Sequence, residues 1–565
     1  MPQPYVFSDL KAPKNFRLMT ILPGEYKEPL QCTICEYQSQ EALSYEALSY
    51  AWGASRGQDE SHPTMSLNQQ EFTISSTLEQ TLRRLRKQNT ERVIAQVAIM
   101  PNIYRGAVRV IAWIGEKSYD SDHALLFLKE MAMHHKYSLR HWWRNGVRLG
   151  SDTSSECGEG KYVDEETDDR RSISFIDNTQ SELPTLDEKE TNEMKGISRN
   201  SRQADWEAVD NLLARLWCSR TWVVQEIWQA KDAILVCDDS TIKRKTFKKA
   251  MEYQEAWDDM GCLVRGTKRW ETWTTLKSRY GLAIHISQKR LLGSKLSDIL
   301  WNTWDRDATD PRDKVFAILG LVGKDYIDTL PNIDYSKSIE EVYREVTSLI
   351  ITKEKSLDIL LAASGPDNGE TLPSWVPDWR KKANKHRPAL FINASFMRMQ
   401  CYHSGSTDAV YFHGHGYPAS GDMGPQVIFH NDINMLQVRA VMFDSISEVS
   451  ANFGNDLSAA NIIEQARITL SNSRPGGSSS LNTRTSDGEL KKIVSAGSFI
   501  DPRSVFSITN DGYLSIGPSR LQAGDLISII AGCSFPMILR SVGNYFSLVG
   551  EAYSKINTPS MFMVY

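Results

Sequence analysis

Residues Leu213–Cys237 read LARLWCSRTWVVQEIWQAKDAILVC. Trp222 and Glu226 stand four residues apart, which places them on one face of a helix. The run from Ala233 to Cys237 that follows is short and apolar, as a fully buried parallel strand requires. A helix feeding such a strand is the repeating unit of a doubly wound α/β sheet, in which ligands bind beside the loops at the strand ends. Glu226 is therefore the first carboxylate to consider as a working residue. The plain reading of an acidic residue on an amphipathic helix is a solvated or paired side chain.

With 565 residues and 41% hydrophobic content, the chain has room for two to four domains with packed cores. Its net charge of −5 supplies no electrostatic footprint for nucleic acid or anionic lipid. No apolar run reaches the roughly 20 residues that span a bilayer, and the first residues lack a basic segment followed by an apolar one. A soluble cytoplasmic protein is expected. Eight cysteines are scattered along the chain without a disulfide framework. Cys32 and Cys35 form a CxxC, but no second pair or finger-spaced histidines accompany it, so both read as structural thiols. Cys401, His403, His413 and His415 have ligand chemistry. His413 and His415 simply share a strand face with Tyr411, however, so a half-exposed polar face is the reading and no metal is expected.

Residues 1–45 open as paired strands. Ser75 to Leu85 has helical spacing, with Ser75 or Ser76 as cap and arginines at its C-terminal end. A second amphipathic helix is expected through Val93, Val97, Met100 and Tyr104, feeding a strand from Val108 to Ile114 that Gly115 closes. Pro101 sits awkwardly inside that helix. From 151 to 201 the composition turns to Ser, Thr, Asp, Glu and Asn, which cannot bury enough surface to offset chain entropy, so an acidic disordered insertion is expected. In Asp310–Leu321, Asp310 as N-cap, Pro311 as the first helical residue and Asp313 in the first turn make a strong helix start. A helical region is expected over 238–400, and a β-rich region over 401–565 with a flexible loop at 471–488.

Four segments taken in order carry a family resemblance: EALSYAWG (Glu46–Gly53), ERVIAQVAIMPNIYRGAVRVIAWIG (Glu91–Gly115), the stretch quoted first, and DPRDKVFAILGL (Asp310–Leu321). Together they resemble the fungal heterokaryon incompatibility (HET) domain family, whose members act in non-self recognition and in the cell death that follows fusion of unlike hyphae. FRLMTILPG (Phe16–Gly24), LPSWVPDWR (Leu372–Arg380) and Ala523–Tyr553 resemble the flanking regions of large HET proteins, so most of the chain is covered. The resemblance implies an α/β fold with a parallel sheet like that of Toll/interleukin-receptor (TIR) domains, which is flavodoxin-like, over 46–237. A helical middle and a β-rich C-terminal domain follow.

Two features depart from the family pattern. EALSY occurs twice in tandem, at Glu41–Tyr45 and Glu46–Tyr50. A five-residue slip reverses every side chain of a strand, so one copy is expected in a loop. The family also carries a strand resembling Leu-Trp-Ile-Asp-Ala-Ile-Cys-Ile-Asn-Gln between its first two helices. Here LRRLRKQ, ending at Gln88, runs almost directly into NTERVIAQ. The expectation is a missing interior strand, through a gene-model error or a true truncation.

The resemblance implies function through regulated protein interaction or self-association, with no nucleic acid and no membrane span. Some TIR domains cleave NAD with a glutamate in a motif resembling Trp-Val-x-x-Glu, which Trp222, Val223 and Glu226 match. The alternative reading is therefore an NAD-cleaving effector in which Glu226 holds the ribose hydroxyls and stabilises oxocarbenium-like charge. Tyr50, Trp52, Gly53 and Trp222 are the substrate-binding candidates, and NAD is a substrate rather than a resident cofactor. Trp52 and Gly53 more simply end a strand by packing and turning. A degenerate, inactive paralogue is the further alternative, drawn from the missing strand.

Overall fold

The computed structural model describes residues 5–8, 10–12, 15–38, 44–51, 63–86, 90–95, 100–133, 203–259, 283, 295–363, 372–380, 419–420, 423–430, 434–452, 464–466, 468–469 and 504–554. The stretches read as an acidic insertion (151–201) and a flexible loop (471–488) lie outside them, as do Trp52, Gly53, Cys401, His403, His413 and His415.

The strand built from AILVC, β8 (Ala233–Cys237), lies in a nine-stranded sheet of order β5-β4-β2-β1-β6-β3-β7-β8-β9. Its other members are β1 (Phe16–Ile21), β2 (Gln31–Tyr37), β3 (Glu46–Tyr50), β4 (Thr64–Leu67), β5 (Gln70–Thr73), β6 (Arg92–Ala95), β7 (Arg109–Gly115) and β9 (Ser240–Lys243). The central strands β6, β3, β7 and β8 run parallel. β1 and β9 border them antiparallel. The parallel sheet expected from the resemblance forms the centre of a larger mixed sheet, in whose wing β2 and β4 also pair in parallel. The sheet also crosses the boundaries drawn at 45/46 and 237/238, because β1, β2 and β9 hydrogen-bond into it.

In chain order the four parallel strands are β3, β6, β7 and β8, and in space they read second, first, third, fourth. That is the beginning of the flavodoxin-like order, whose direction reverses between the first and third strands. Here the reversal falls between β3 and β7. Both faces of β7 are buried, as a central parallel strand demands. Val110, Ala112 and Ile114 enter one core cluster, and Ile111 and Trp113 enter the other. Helix α1 (Ser76–Leu85) covers the second face, with Ser75 accepting from the Leu78 amide as N-cap at 3.2 Å. The first face is covered by α2 (Met100–Gly106), α3 (Ser121–Met133), α4 (Gln203–Leu213), α5 (Leu216–Ser219), α6 (Trp222–Gln229) and α7 (Arg244–Asp259).

The interior strand expected to be missing is present as β6. It pairs with β3 on one side and with β1 on the other. Helix α1 is the crossover that connects β3 to β6, with the β4–β5 hairpin inserted before it. The length requirement of a parallel connection is therefore met. Arg92 fixes the short strand in place, donating to Glu46 Oε2 at 2.7 Å and to the Leu85 carbonyl at 3.1 Å. Val93 and Ile94 are accordingly strand residues rather than the start of a helix, and α2 begins only at Met100, immediately before Pro101, where a proline is tolerated. Of the duplicated EALSY, the second copy is β3. Tyr45, at the end of the first copy, stands outside the strand and donates its hydroxyl to the Ile103 carbonyl at 2.8 Å.

A second layer is formed by α8 (Leu296–Thr303), α9 (Asp313–Phe316), α10 (Ile339–Glu354) and α11 (Leu360–Ala363), with Trp301, Trp304 and Trp379 packed ring against ring. The helix start expected at Asp310 is shifted. Asp310 accepts from the Arg312 amide at 3.0 Å and from its guanidinium, so it closes a turn, and α9 begins at Asp313. α10 carries a full capping box between Ser338 and Glu341.

The C-terminal region is a seven-stranded sheet of order β17-β16-β15-β12-β13-β14-β18, comprising β12 (Ala440–Val449), β13 (Ser504–Thr509), β14 (Leu514–Pro518), β15 (Leu526–Ile530), β16 (Met537–Val542), β17 (Tyr545–Glu551) and β18 (Tyr553–Ser554). A separate hairpin joins β10 (Val427–His430) and β11 (Met435–Val438). Register shifts in β12 toward both neighbours bend the sheet into a curl. Ile530, Met537, Leu539 and Leu548 share one core cluster with the helical layer, so the curled sheet is seated on it.

Candidate functional site

Ligand crevices in doubly wound sheets open at the carboxyl ends of the strands where their order reverses. At that end of β3 stand Ser49 and Tyr50. Ser49 shares a sheet face with Ala47, and on that face lie α2, α5 and α6. Glu226, on α6, points into this space and is 7% exposed. Of the plain reading, a solvated or paired side chain, the structure gives the paired one, and it is buried.

The carboxylate sits in a closed polar network. Ser49 donates its hydroxyl to Glu226 Oε2, and Trp217 Nε1 donates to Ser49 Oγ at 2.7 Å. The Tyr104 hydroxyl, carried by α2, hydrogen-bonds Glu226 and reaches the Leu48 carbonyl at 3.3 Å. Arg220, in the turn between α5 and α6, donates to the Tyr50 carbonyl at 2.7 Å and lends positive charge to the cluster. Burial pushes the Glu226 carboxyl above its ordinary range, and Ser49, Arg220 and Tyr104 oppose that rise. The hydroxyls of Tyr50 and Tyr104 are also pushed up, chiefly by burial, so both stay neutral, and that of Tyr104 acts as a donor. A raised carboxyl among fixed donors, at the point where strand order reverses, has the physical character of a working site.

Of the residues singled out in the sequence, Glu226 lies here; Tyr50 joins through its backbone carbonyl, while its side chain packs with Leu48 in the core of the opposite sheet face. Trp222 packs instead against the cluster formed by Val224, Trp228 and the helical layer. Ser49, Tyr104, Trp217 and Arg220 were not singled out. The signal for Ser49 was available, as a hydroxyl on the same strand face as Ala47. That for Trp217 and Arg220 lay in the very stretch that holds Glu226. Cys32 is buried and Cys35 exposed, as their odd spacing along β2 dictates, so the two thiols point away from each other. Among the described residues no group of three or more His, Cys, Asp or Glu side chains is arranged to hold a metal ion.

Residues 45–94 and 87–226 match the family model of the heterokaryon incompatibility protein (HET). These matches support the HET family. They span the parallel centre of the sheet and end on Glu226, and the two pieces meet at residues 87–94, around β6. Residues 496–556 match the Het-6 beta-barrel domain, which takes in β13 to β18. Heterokaryon incompatibility protein 6, OR allele, of Neurospora crassa is 22% identical over 659 aligned positions that cover 95% of this chain and 93% of that protein. No solved structure matches significantly. Among the described residues no helix is long and apolar enough to cross a membrane.

Proposed function

We propose that this protein acts in fungal non-self recognition and triggers cell death after fusion of unlike hyphae, through regulated association with protein partners or with itself in the cytoplasm. The observation that carries the reading is the coincidence of the HET match with the sheet centre and the Glu226 cluster, in a chain aligned almost end to end with a heterokaryon incompatibility protein. The strand order β6-β3-β7-β8 also favours a TIR-like architecture for the HET region. NAD cleavage is the less favoured reading, because the Glu226 carboxylate is already engaged by Ser49 and Tyr104 in holding β3, α2 and α6 together. The degenerate-paralogue reading is likewise less favoured, because β6 fills the sheet position that the absent family segment would take.

The test is expression of the full chain in a fungal strain, followed by confrontation with a strain of unlike type. Death of fusion cells that requires the chain supports the reading, and unimpaired heterokaryons contradict it. Measuring cellular NAD in the same cells separates the two mechanisms. Death without NAD loss supports association, and NAD loss preceding death supports cleavage.

A further inference from the structure

Arg306 is fully buried, at 0% exposure. It follows α8 in the helical layer, two residues after Trp304, whose ring meets that of Trp379 edge to face with centroids 4.7 Å apart. Its guanidinium crosses to the HET region and donates to the carbonyls of Cys218 and Arg220 at 3.0 and 3.3 Å. The adjoining backbone forms a single rung of parallel pairing. The Asp307 amide donates to the Ser219 carbonyl at 2.7 Å, and the Thr221 amide donates to the Asp307 carbonyl at 3.0 Å. Thr221 Oγ1 donates to the same carbonyl at 3.1 Å. The helical layer therefore grips four consecutive residues, Cys218 to Thr221, where α5 ends and α6 begins. The third is Arg220, whose side chain reaches the end of β3 beside Glu226.

We propose that Arg306 is a positioning residue through which the helical layer holds Arg220 against the Glu226 cluster, so that a partner or domain movement displacing that layer is felt at the point where strand order reverses. A buried guanidinium is expensive unless its donors are met. Here its Nη1 is spent on two carbonyls of one short stretch, so the cost of burying the charge is tied to that stretch staying in place. The inference rests on the reading that the Glu226 cluster is the working part of the HET region. Its test scores no cell death and can fail independently. The groups facing Glu226 are Ser49 from β3, Tyr104 from α2, Arg220 from the turn and, through Ser49, Trp217 from α5, while the Tyr50 hydroxyl on the other sheet face adds an electrostatic influence. Arg220 is the cation among them.

The full-length protein provides the test. Its melting temperature is compared with that of a Glu226→Gln version across pH; the two curves part in the ordinary carboxylate range and become parallel again at the folded midpoint, which reports the proton affinity of Glu226. The same pair of measurements is then made in an Arg306→Met background. The expected result is at least a threefold gain in proton affinity, together with faster amide exchange at 219–221, because Arg220 is no longer held in place. Arg220→Gln sets the full effect, and adding Arg306→Met to it should change nothing more. A folded Arg306→Met protein with the original midpoint overturns the proposal, and so does a shift that adds to that of Arg220→Gln. If Arg306→Met does not fold, Thr221→Val loosens the same pairing from the other side. It must give a smaller shift in the same direction, and an unchanged midpoint overturns the proposal.

Discussion

Ser49 donates its hydroxyl proton to the carboxylate of Glu226, 177 residues further along the chain, in the buried space at the end of a parallel strand. Because the Trp217 indole in turn donates to Ser49 Oγ, the serine's own proton is committed to the glutamate. One hydroxyl therefore satisfies two buried partners. Replacing it by a methyl group leaves the indole N–H without an acceptor and removes a donor from the carboxylate. Ser49→Ala should destabilise the fold by about 1–3 kcal/mol, the usual cost of a stranded buried polar group. Urea denaturation measures this directly, and a loss below a few tenths of a kcal/mol means the network relaxes around the change.

Glu226 should make stability fall as pH rises. Its carboxyl is raised by burial, so the folded protein holds this proton more tightly than the unfolded chain does. The associated stability is fully present below the ordinary carboxylate range and is lost as pH rises through the folded value. Glu226→Gln keeps an acceptor for Ser49 without an ionisation to oppose it. The variant should match the parent at pH 4 and exceed it in melting temperature at pH 8. Parallel curves across that range would mean that Glu226 titrates as it does in the unfolded chain.

The reach of the sequence can be judged from β6. Its residues RVIA were read as part of a helix because Val93, Val97, Met100 and Tyr104 share a helical period, and four residues are too few to establish a period of two. What decides the matter is non-local: β1 and β3 flank an empty slot, and Arg92 pairs with Glu46. The α6–β8 unit was legible because eight helical and five apolar residues each carry their own periodicity. Glu226 was legible as a candidate but not as a buried group, since burial depends on Ser49, Tyr104 and Trp217 arriving from three other elements. Ile94 provides the check on β6. It is buried between β1 and β3 in the core shared with Leu48 and Ile111. Ile94→Ala should cost about 2–4 kcal/mol, measured by chemical denaturation, whereas an exposed helical position would lose a few tenths.

Cys32 and Cys35 should react very differently with a thiol reagent under native conditions. Cys35 is exposed, whereas burial pushes the Cys32 thiol up to about 12, only partly offset by the Arg86 charge. Cys218, fully buried, is likewise pushed up to about 12. Alkylation mapped by mass spectrometry should find Cys35 modified at least about a hundredfold faster than either, since the thiolate is the reacting form. Comparable rates at Cys32 and Cys35 would show that β2 does not keep its inner face closed.

Two glycines separate backbone strain from steric contact at the seat of the curled sheet. Gly512 and Gly532 both have positive φ, 82° and 84°, where a side chain is unfavourable by about 1–2 kcal/mol. A Cβ at Gly512 meets nothing within 4 Å, but one at Gly532 falls 2.6 Å from the Pro425 backbone nitrogen. The Gly532 carbonyl also accepts from the Leu357 amide of the helical layer at 2.7 Å, which joins the two layers at this point. Gly512→Ala should therefore cost about 1 kcal/mol and leave the docking intact. Gly532→Ala should cost about 2–3 kcal/mol more, because backbone must move at a close-packed seam. It should also speed amide exchange at Leu357 as well as in β15. Equal losses in the two variants would mean that φ alone sets the cost. A large loss at Gly532 without faster exchange at Leu357 would place the damage inside the curled sheet rather than at its seat on the helices.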